Sequence, residues 1–324
     1  MDSREVKDLL RGSGAVAAGV AEACPVDEAE MRAYALWMQG GNAAGMGYLA
    51  KYDDVRSDPR LLLDGARSVI VAAFSYYYPE AVTGRLRWAR YALGRDYHEE
   101  VRDRLTDVAS SITAATGAAC RVAVDTAPLR ERYWALRAGV GFRGRNGLVI
   151  VPGAGSWVVL GEIITTLELQ PDAAIGSMEG CEGCGRCVKA CPGRALDGSG
   201  RLDGRRCRSY LTVEHRGDEG MPAIAGGRVY GCDICQEVCP HNCGAAVSAI
   251  GAFTPRPEIL ALSQGDILAM EQGEFSRIFS HSAIKRAKLA GLQRNARMLG
   301  AAEGREGDGG PDTDGACYDG DGHM

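Results

Sequence analysis

Twelve cysteines are present in this chain of 324 residues, and most lie in one segment at spacings that suit metal ligation. The first run is Cys181-x2-Cys184-x2-Cys187-x3-Cys191, followed directly by Pro192. This is the bacterial ferredoxin spacing, in which three thiolates hold one iron–sulfur cluster and the fourth reaches a second cluster. Because soft thiolates suit such clusters, the run predicts a pair of 4Fe-4S clusters.

A shorter run, Cys232-x2-Cys235-x3-Cys239 followed by Pro240, lies downstream, and Cys207 stands between the two runs. Together they supply eight thiolates, enough for two clusters with four ligands each. The crossover typical of ferredoxins predicts two ligand sets, Cys181, Cys184, Cys187 and Cys239 for the first cluster and Cys191, Cys207, Cys232 and Cys235 for the second.

Two alternatives stay open at the level of the residues. Paired Cys-x2-Cys motifs also build structural zinc sites, although the third and fourth cysteines followed by proline favour the ferredoxin reading. Cys243 is surplus to eight ligands and can replace Cys239, but the Cys-Pro step at Cys239 repeats that at Cys191. We interpret Cys24 and Cys120 as ordinary packing residues.

Composition and charge exclude several classes of protein. Apolar residues make up 46% and charged residues 24% of the chain, as in soluble globular proteins. We find neither a membrane-spanning apolar stretch nor a signal peptide, so we expect a cytoplasmic protein in which disulfides are disfavoured. Residues 301–324 are rich in Gly and Asp and are expected to be disordered. Residues 272–300 are basic, which indicates either a polyanion contact or a solvated helix face.

The elements that must position these residues follow from hydrophobic periodicity. Helical patterns cover residues 6–23, 28–39, 97–115, 128–138 and 259–299, and strand patterns cover 68–76, 120–124, 147–151 and 157–167. The glycines of Gly139-x-Gly141-x-x-Gly144 follow a helix-like stretch, so they do not predict a dinucleotide site.

This order predicts an α/β domain followed by a ferredoxin-like domain and a short helical segment. We place the boundaries at residues 1–170 for the α/β domain, 171–250 for the two-cluster domain, 251–300 for the C-terminal helices and 301–324 for the acidic tail. Two clusters conduct electrons rather than transform a substrate, so the first domain is expected to hold the reaction site.

Several motifs, spread over about residues 46–300, together resemble the epoxyqueuosine reductase family, cobalamin-dependent enzymes of tRNA modification related to reductive dehalogenases. They include Arg90-Tyr91-Ala92-Leu93-Gly94-Arg95-Asp96-Tyr97-His98, Asp125-Thr126-Ala127-Pro128-Leu129, Gly155-Ser156-Trp157 through Gly161-Glu162-Ile163, and Tyr230-Gly231-Cys232-Asp233-Ile234-Cys235. The resemblance implies an α/β cobalamin-binding domain, base-off cobalamin, two 4Fe-4S clusters and reduction of epoxyqueuosine to queuosine in tRNA. It also implies a low-potential electron donor, a monomer and no membrane.

The resemblance assigns roles to residues that spacing leaves open. Asp125 matches the family's proton donor, which must remain protonated until an opened epoxide needs its proton. Judged without the family, Asp125 is better explained as a cap of the helix near Pro128. Arg56, Tyr97 and Asp125 match positions near the corrin, and Ser209 is a further contact. The resemblance leaves His98 unassigned.

A path for the tRNA backbone is expected along basic residues, because phosphates require cations. The candidates are residues 272–300 with Arg145, Arg206, Arg208 and Arg228. The chain ends earlier than longer family members, which carry additional C-terminal helical repeats. Two alternatives use the same cysteines: a reductive dehalogenase acting on a small molecule, and a ferredoxin-like electron-transfer protein that binds no corrinoid.

Overall fold

The protein is described here by a computed structural model covering residues 1–79, 86–176, 180–218, 221 and 227–299. The tail expected to be disordered lies outside these residues. The helices are α1 (Ser3–Gly12), α2 (Glu28–Gln39), α3 (Asp53–Ser57), α4 (Tyr97–Thr116), α5 (Glu131–Arg137), α6 (Arg186–Ala190), α7 (Arg208–Val213), α8 (Ile234–Glu237), α9 (Pro257–Leu260), α10 (Gln264–Ala269), α11 (Gln272–Ile278) and α12 (Lys288–Leu299). The strands are β1 (Ala17–Glu22), β2 (Ser68–Ser75), β3 (Arg87–Trp88), β4 (Cys120–Ala123), β5 (Phe142–Arg143), β6 (Val149–Ile150), β7 (Val158–Thr165) and β8 (Arg228–Tyr230).

A four-stranded antiparallel sheet in the order β1-β2-β7-β4 forms the centre of the first half of the chain. Strands β2 and β7 pair along their full length, from Ser68 opposite Thr165 to Ser75 opposite Val158. Every residue of β2 is buried, because α4 packs on one face of the sheet and α5 on the other. Apolar cores on both faces fix the register, since a one-residue slip would exchange the two faces.

The predicted helix over residues 6–23 is wrong in its second half. Helix α1 ends at Gly12, and Gly14 then takes a φ of +98° that a helix does not allow. Residues Ala17–Glu22 form β1 instead, although alanine favours helices. A Cβ on Gly19 would lie 1.9 Å from the Ala138 carbonyl oxygen, so small residues here let β1 approach the end of α5. Tertiary packing therefore overrides the local propensity.

The C-terminal helices share a core with a segment that precedes α4. Strand β3 runs parallel to β8, with Trp88 opposite Tyr230. Leu93 and Trp88 are buried in the same cluster as Phe279 and Leu292. The segment before α4 thus belongs structurally to the C-terminal helical layer as well as to the α/β domain.

The same layer fastens the first turn of α4. The Asp96 N–H donates to the His281 carbonyl over 2.7 Å, and the Arg95 N–H donates to Ala252 over 2.8 Å. The Glu99 carboxylate lies 2.8 Å from Nδ1 of His281. The beginning of α4 is consequently held from outside the helix.

Candidate functional site

The first group of cysteines surrounds one cavity. Cys181, Cys184, Cys187 and Cys239 line it together, so the structure brings the predicted first ligand set together. The loop that carries Cys181 and Cys184 turns at Gly183 and Gly185, whose φ values of +70° and +68° favour glycine, and Cys187 follows in α6. Cys243 is exposed and does not line this cavity.

The second predicted set is also gathered in space. Burial raises the pKa of Cys232 to about 11, and the pKa of Cys235 is raised in the same way, with added charge from Cys232 and Cys207. Cys207 is in turn within electrostatic range of Cys191. The charge of Cys187, from the first set, also raises the pKa of Cys235, so the two sets are neighbours.

The donors in both predicted ligand sets are cysteine thiols. Within the ranges that the structure describes, no three His, Cys, Asp or Glu side chains converge on a position that one metal ion could occupy. Soft thiolates are the ligands of iron–sulfur clusters, and each thiolate of a 4Fe-4S cluster binds a separate iron. The chemistry of the donor set therefore fits the two predicted clusters.

The cysteine-rich segment is attached to the central sheet through a buried polar network. Asn242 Oδ1 accepts from the Ser156 N–H at 2.6 Å, and the Ser156 hydroxyl donates to Gln236 Oε1 at 3.0 Å. A Cβ on Gly155 would lie 2.3 Å from Asn242 Oδ1, so only glycine permits this approach. These contacts hold the cluster segment close to the beginning of β7.

Asp125 lies just past β4, in a backbone conformation that non-glycine residues seldom adopt. Its φ is +46°, and its side chain is 48% exposed. The Asp125 N–H donates to Oε1 of Glu131 in the first turn of α5. Helix α5 begins at Glu131, and Asp125 does not cap it. The helix-cap alternative is thus wrong, and the Asp125 carboxylate remains available for other contacts.

The Asp125 carboxylate contacts His98, a residue whose role the sequence left open. His98 Nε2 lies 2.8 Å from Oδ2 of Asp125, and His98 Nδ1 lies 2.6 Å from Oδ1 of Asp96. Tyr97 stacks on the imidazole with ring centroids 4.0 Å apart. The sequence contained one signal for the contact between Asp96 and His98, an acid at the start of a helix two residues before a histidine.

Both nitrogens of His98 face carboxylates, and this determines where the proton lies. Two carboxylate acceptors need two N–H donors, which only the imidazolium supplies. Burial opposes this charge, but the hydrogen bonds to Asp125 and Asp96 raise the pKa of His98 to about 9. Burial also acts to raise the pKa of Asp125, yet the bond from His98 outweighs it and holds that pKa below its ordinary value. The proton therefore lies on His98, contrary to the expectation of a protonated Asp125.

Two further carboxyl groups lie behind this pair. Burial and the negative charge of Asp125 raise the pKa of Glu131 to about 8. Glu162 is fully buried in β7, opposite Ala123 of β4, and burial raises its pKa well above the ordinary value. Glu162 stands within the motif Gly161-Glu162-Ile163, but residue spacing did not indicate that either carboxyl group is buried, because burial depends on how the strands pair.

The other predicted cofactor contacts lie on three different elements, α3, α4 and α7. The Tyr97 side chain reaches the Asp125 carboxylate, so these two candidates meet. Arg56 lies in α3 and donates to the Lys51 carbonyl at 3.2 Å. Ser209 lies in α7, where its N–H faces the Cys207 thiol. The contacts at Arg56 and Ser209 therefore place them on separate elements.

Exposed apolar side chains occur between residues 36 and 61, and one of them, Tyr48, lies near Asp125. Leu36, Tyr48, Tyr52 and Leu61 are exposed apolar side chains within one short stretch, and they are 42–65% exposed. Tyr48 lies within electrostatic range of Asp125, which places part of this stretch at the site. The apolar faces of a corrin ring need such side chains, so the residues present fit a cobalamin.

The basic candidates for an RNA path fall into two groups. Arg145 donates to the Cys181 carbonyl, Arg206 to the Gly193 carbonyl and Arg228 to the Glu237 carboxylate, so these three have protein partners. Within residues 272–300, Arg294 is only 3% exposed and donates to main-chain carbonyls. Arg294 therefore cannot contact a polyanion. The exposed cations of this segment are Lys285, Arg286, Lys288 and Arg297, besides Arg277.

Both halves of the chain match family models. A model described as epoxyqueuosine reductase QueG, DUF1730 matches residues 56–126, and a 4Fe-4S double cluster binding domain model matches residues 180–242. An epoxyqueuosine reductase of Gloeobacter violaceus is 38% identical over 310 residues, covering 93% of this chain and 96% of that protein. An epoxyqueuosine reductase of Pseudomonas aeruginosa is 36% identical, and the match covers 93% of this chain and 85% of that protein.

Solved structures of similar proteins agree with the fold. A crystal structure of epoxyqueuosine reductase with an epoxyqueuosine-modified tRNA-Tyr stem loop has a TM-score of 0.81 at 30% identity, covering 91% of this chain and 80% of that one. The structure of the Streptococcus thermophilus enzyme has a TM-score of 0.81 and is 31% identical in sequence. The structure of the Bacillus subtilis enzyme has a TM-score of 0.79 and is 29% identical in sequence. In that structure the aspartate-bearing catalytic loop is swung out of the active site. No helix in the described part of our chain is long and apolar enough to cross a membrane.

Proposed function

The chain belongs to the epoxyqueuosine reductase family, and from this we propose that it reduces epoxyqueuosine to queuosine at the wobble position of tRNA. As a member of this family it is an oxidoreductase with a 4Fe-4S double-cluster domain. The finer parts of the proposal are the electron path, the cobalamin and the proton donor.

The Asp96–His98–Asp125 line is the observation that carries this proposal. Epoxide reduction breaks two C–O bonds and releases the oxygen as water, so it consumes two electrons and two protons. A donor at the site must therefore be loaded with a proton at neutral pH. His98, with its pKa near 9, carries such a proton, and its Nε2 is 2.8 Å from Asp125 Oδ2.

In this proposal Asp125 is the proton donor and His98 loads it. As negative charge develops on the substrate oxygen, the proton passes from His98 Nε2 to Asp125 Oδ2 and on to that oxygen. Asp96 keeps the imidazole oriented through the 2.6 Å contact with Nδ1. The Asp125 side chain is 48% exposed, so a substrate can reach it. A similar aspartate loop is swung out in the Bacillus subtilis relative, which supports a loop of this kind in our chain.

Cobalamin in its base-off form would supply a low-valent cobalt able to deliver electrons to the substrate. Tyr97, Asp125 and Arg56 are the residues that we propose hold it from the α/β domain, with Ser209 contributing from α7. The exposed apolar side chains at residues 36–61 would shield the site from water. Excluding water strengthens the hydrogen bonds of the Asp125–His98 pair.

Electrons would enter through the two clusters from an external low-potential donor. The proposed ligands are Cys181, Cys184, Cys187 and Cys239 for one cluster, and Cys191, Cys207, Cys232 and Cys235 for the other. Ser209 follows Cys207 by two residues, so α7 would connect the second cluster with the cofactor. We propose that the protein acts as a cytoplasmic monomer on tRNA, with exposed cations near α12 binding phosphates.

The decisive experiment is anaerobic reconstitution of the purified chain with iron, sulfide and cobalamin. We expect bound corrinoid in the visible spectrum, about eight iron atoms per chain as two four-iron clusters require, and conversion of epoxyqueuosine in a tRNA stem loop. A protein that binds no corrinoid would instead be a ferredoxin-like electron carrier. One that binds corrinoid and reduces halogenated small molecules, but leaves the stem loop unchanged, would be a dehalogenase.

A further inference from the structure

Asn146 belongs to the wall of the cavity that Cys181, Cys184, Cys187 and Cys239 line. The residue is only 7% exposed, and its side-chain Nδ2 is buried without a hydrogen-bond acceptor in the described ranges of the chain. A buried amide N–H without an acceptor is costly, so it indicates a group that the cavity is built to hold.

The orientation of the Asn146 amide is fixed from its oxygen side. Oδ1 accepts a hydrogen bond from the Leu148 N–H at 3.1 Å. The same oxygen faces Gly144, where an added Cβ would lie 2.9 Å from it. A flipped amide would place its NH2 group against the Leu148 N–H, so that two donors faced each other. Nδ2 is therefore the atom of the amide that is left for the cavity.

A two-stranded hairpin, formed by β5 and β6, carries Asn146 between its strands. Phe142 and Ile150 of these strands are buried in one apolar cluster with Cys181 and Cys239. The hairpin thus packs directly on the cysteines of the first set, although it lies far from them in the chain. This packing brings the amide and the thiols to the same cavity.

Two neighbouring donors in the cavity wall face main-chain oxygens. Arg145 Nε donates to the Cys181 carbonyl at 3.0 Å, and His241 Nε2 lies 2.9 Å from the Gly180 carbonyl oxygen. Both contacts hold the backbone of the loop that carries Cys181. The Asn146 Nδ2 differs from these two nitrogens, because it is buried and lacks such an oxygen. It is positioned to donate to a group inside the cavity.

We propose that the Asn146 amide donates an N–H···S hydrogen bond to the first 4Fe-4S cluster and thereby raises the reduction potential of that cluster. This inference rests on the proposed function through the cluster that the cavity would hold. Reduction adds one electron to the cluster and makes its sulfurs more negative, so an N–H donor stabilises the reduced form more than the oxidised form. No bond breaks and no proton moves in this step.

A raised potential has a direct use in the proposed electron path. The second cluster leads to the cofactor through α7, so the first cluster is the one that accepts electrons from the external donor. Because Asn146 stabilises the reduced first cluster, it favours this entry step. Asn146 is thus a residue of the α/β domain that would tune a cluster held by cysteines of the following domain.

The test is a redox titration of the reconstituted Asn146→Ala variant, followed by electron paramagnetic resonance. We expect the equilibrium constant for reducing the first cluster to fall roughly tenfold, the lower end for a hydrogen bond to a charged group. For a one-electron couple this is a midpoint potential lower by about 59 mV. The ligands of the second cluster do not line this cavity, so that cluster should keep its potential as an internal reference. Equal potentials in the wild type and the variant would overturn the inference.

Leu148→Ala is the matched control. Leu148 is half-buried directly before β6, and alanine keeps the N–H that holds Asn146 Oδ1. We expect lower thermal stability and the wild-type potential, because the hairpin is weakened while the donor remains. If this variant lowers the potential as much as Asn146→Ala does, the amide has only a structural role and the inference is refuted.

Asn146→Asp provides a second variant if alanine disturbs the hairpin. Aspartate retains the oxygen that accepts from the Leu148 N–H but has no N–H of its own, so the potential should fall at least as far. Pulsed electron paramagnetic resonance of the reduced wild type should detect coupling to the amide nitrogen, which both variants lack. Spectra that do not differ between the wild type and the variants would exclude a direct hydrogen bond.

These measurements require neither tRNA nor a corrinoid. If the potential shifts while the wild type leaves epoxyqueuosine unreduced, the proposed reaction fails and the role of Asn146 is confirmed. If the wild type reduces epoxyqueuosine and the potential does not shift, only the role of Asn146 is wrong.

Discussion

His98 Nε2 and Asp125 Oδ2 are 2.8 Å apart, although the two residues lie on different elements, 27 positions apart in the chain. His98 belongs to the first turn of α4, which the C-terminal layer holds through Asp96 and Glu99. Asp125 is held at its N–H by Glu131. The contact between them is thus set by two independent anchors, and each side can be changed without unfolding the other.

Replacing His98 by Gln should remove the group that loads Asp125. The proton on His98 is present below about pH 9 and lost above it, whereas a carboxyl group alone ionises near pH 4. We therefore expect the variant to be roughly 100-fold slower at neutral pH and to recover partly in acid. Single-turnover rates on the stem loop measured across pH would show this; an unchanged profile would exclude His98 from proton delivery.

Asp125→Asn should stop the reaction while leaving both cofactors bound. Asparagine retains the shape and tolerates a positive φ, but it cannot donate an acidic proton. A loss of roughly 100- to 10,000-fold is expected, with normal iron and corrinoid contents. Asp54→Asn, at an exposed position on α3, is the control and should react like the wild type. A fully active Asp125→Asn enzyme with intact cofactors would show that the donor is another residue.

Asp96→Asn separates the cap of α4 from the charge on its side chain. The Asp96 carboxylate accepts from the His98 N–H as the helix cap, and asparagine caps equally well. The negative charge beside His98 is lost, so the pKa of His98 should fall from about 9 towards its ordinary value. We expect the alkaline limb of kcat to move to lower pH with KM unchanged, and Tm at neutral pH to fall modestly, because the raised pKa of His98 contributes stability there. A large fall in Tm would instead indicate that the charge is needed for the fold.

Cys239 and Cys243 can be distinguished by iron content. Cys239 lines the first cavity, whereas Cys243 is exposed outside it. Cys239→Ser should lose about half of the iron after reconstitution, or retain it in an altered cluster, because one of four ligands is exchanged. Cys243→Ser should retain the full iron content and the wild-type electron paramagnetic resonance spectrum. The opposite result would assign the ligand to Cys243.

The buried acid also predicts a pH dependence of stability. The folded-state pKa of Glu162 is raised, so the folded protein binds a proton that the unfolded chain releases above about pH 4.3. Stability is therefore lost as pH rises through that range, and Glu162→Gln removes this loss. Tm of the variant should exceed that of the wild type by an increasing margin from pH 5 to pH 8, with differential scanning calorimetry as the measurement. A margin independent of pH would contradict a neutral Glu162.

The parts of the site that the sequence predicted are those encoded by local spacing. Cys181, Cys184 and Cys187 lie within seven consecutive residues, a loop and the first turn of α6, so local geometry brings them together. Cys207 and Cys239 were assigned by pattern, and the structure brings each to its set. Strands β2 and β7 were visible because apolar residues occupy most positions on both of their faces.

The parts that the sequence could not predict depend on contacts between distant elements. His98 has a role only because α4 and the end of β4 meet, and Glu162 is neutral only because α5 covers β7. The helix predicted over residues 6–23 failed for a related reason, since the close approach of Gly19 to Ala138 is a tertiary contact. Hydrophobic periodicity within one segment contains no information about these tertiary contacts.

Leu93 and Leu292 share one core, so the enzyme can finish folding only late in its synthesis. Residues 86–98 leave the ribosome early, but their packing partners are among the last to be made. The sheet can form before then, whereas Asp96 and His98 reach their final positions only after the C-terminal helices have emerged. A nascent or truncated chain would therefore contain cluster-binding cysteines before it contains a competent proton donor.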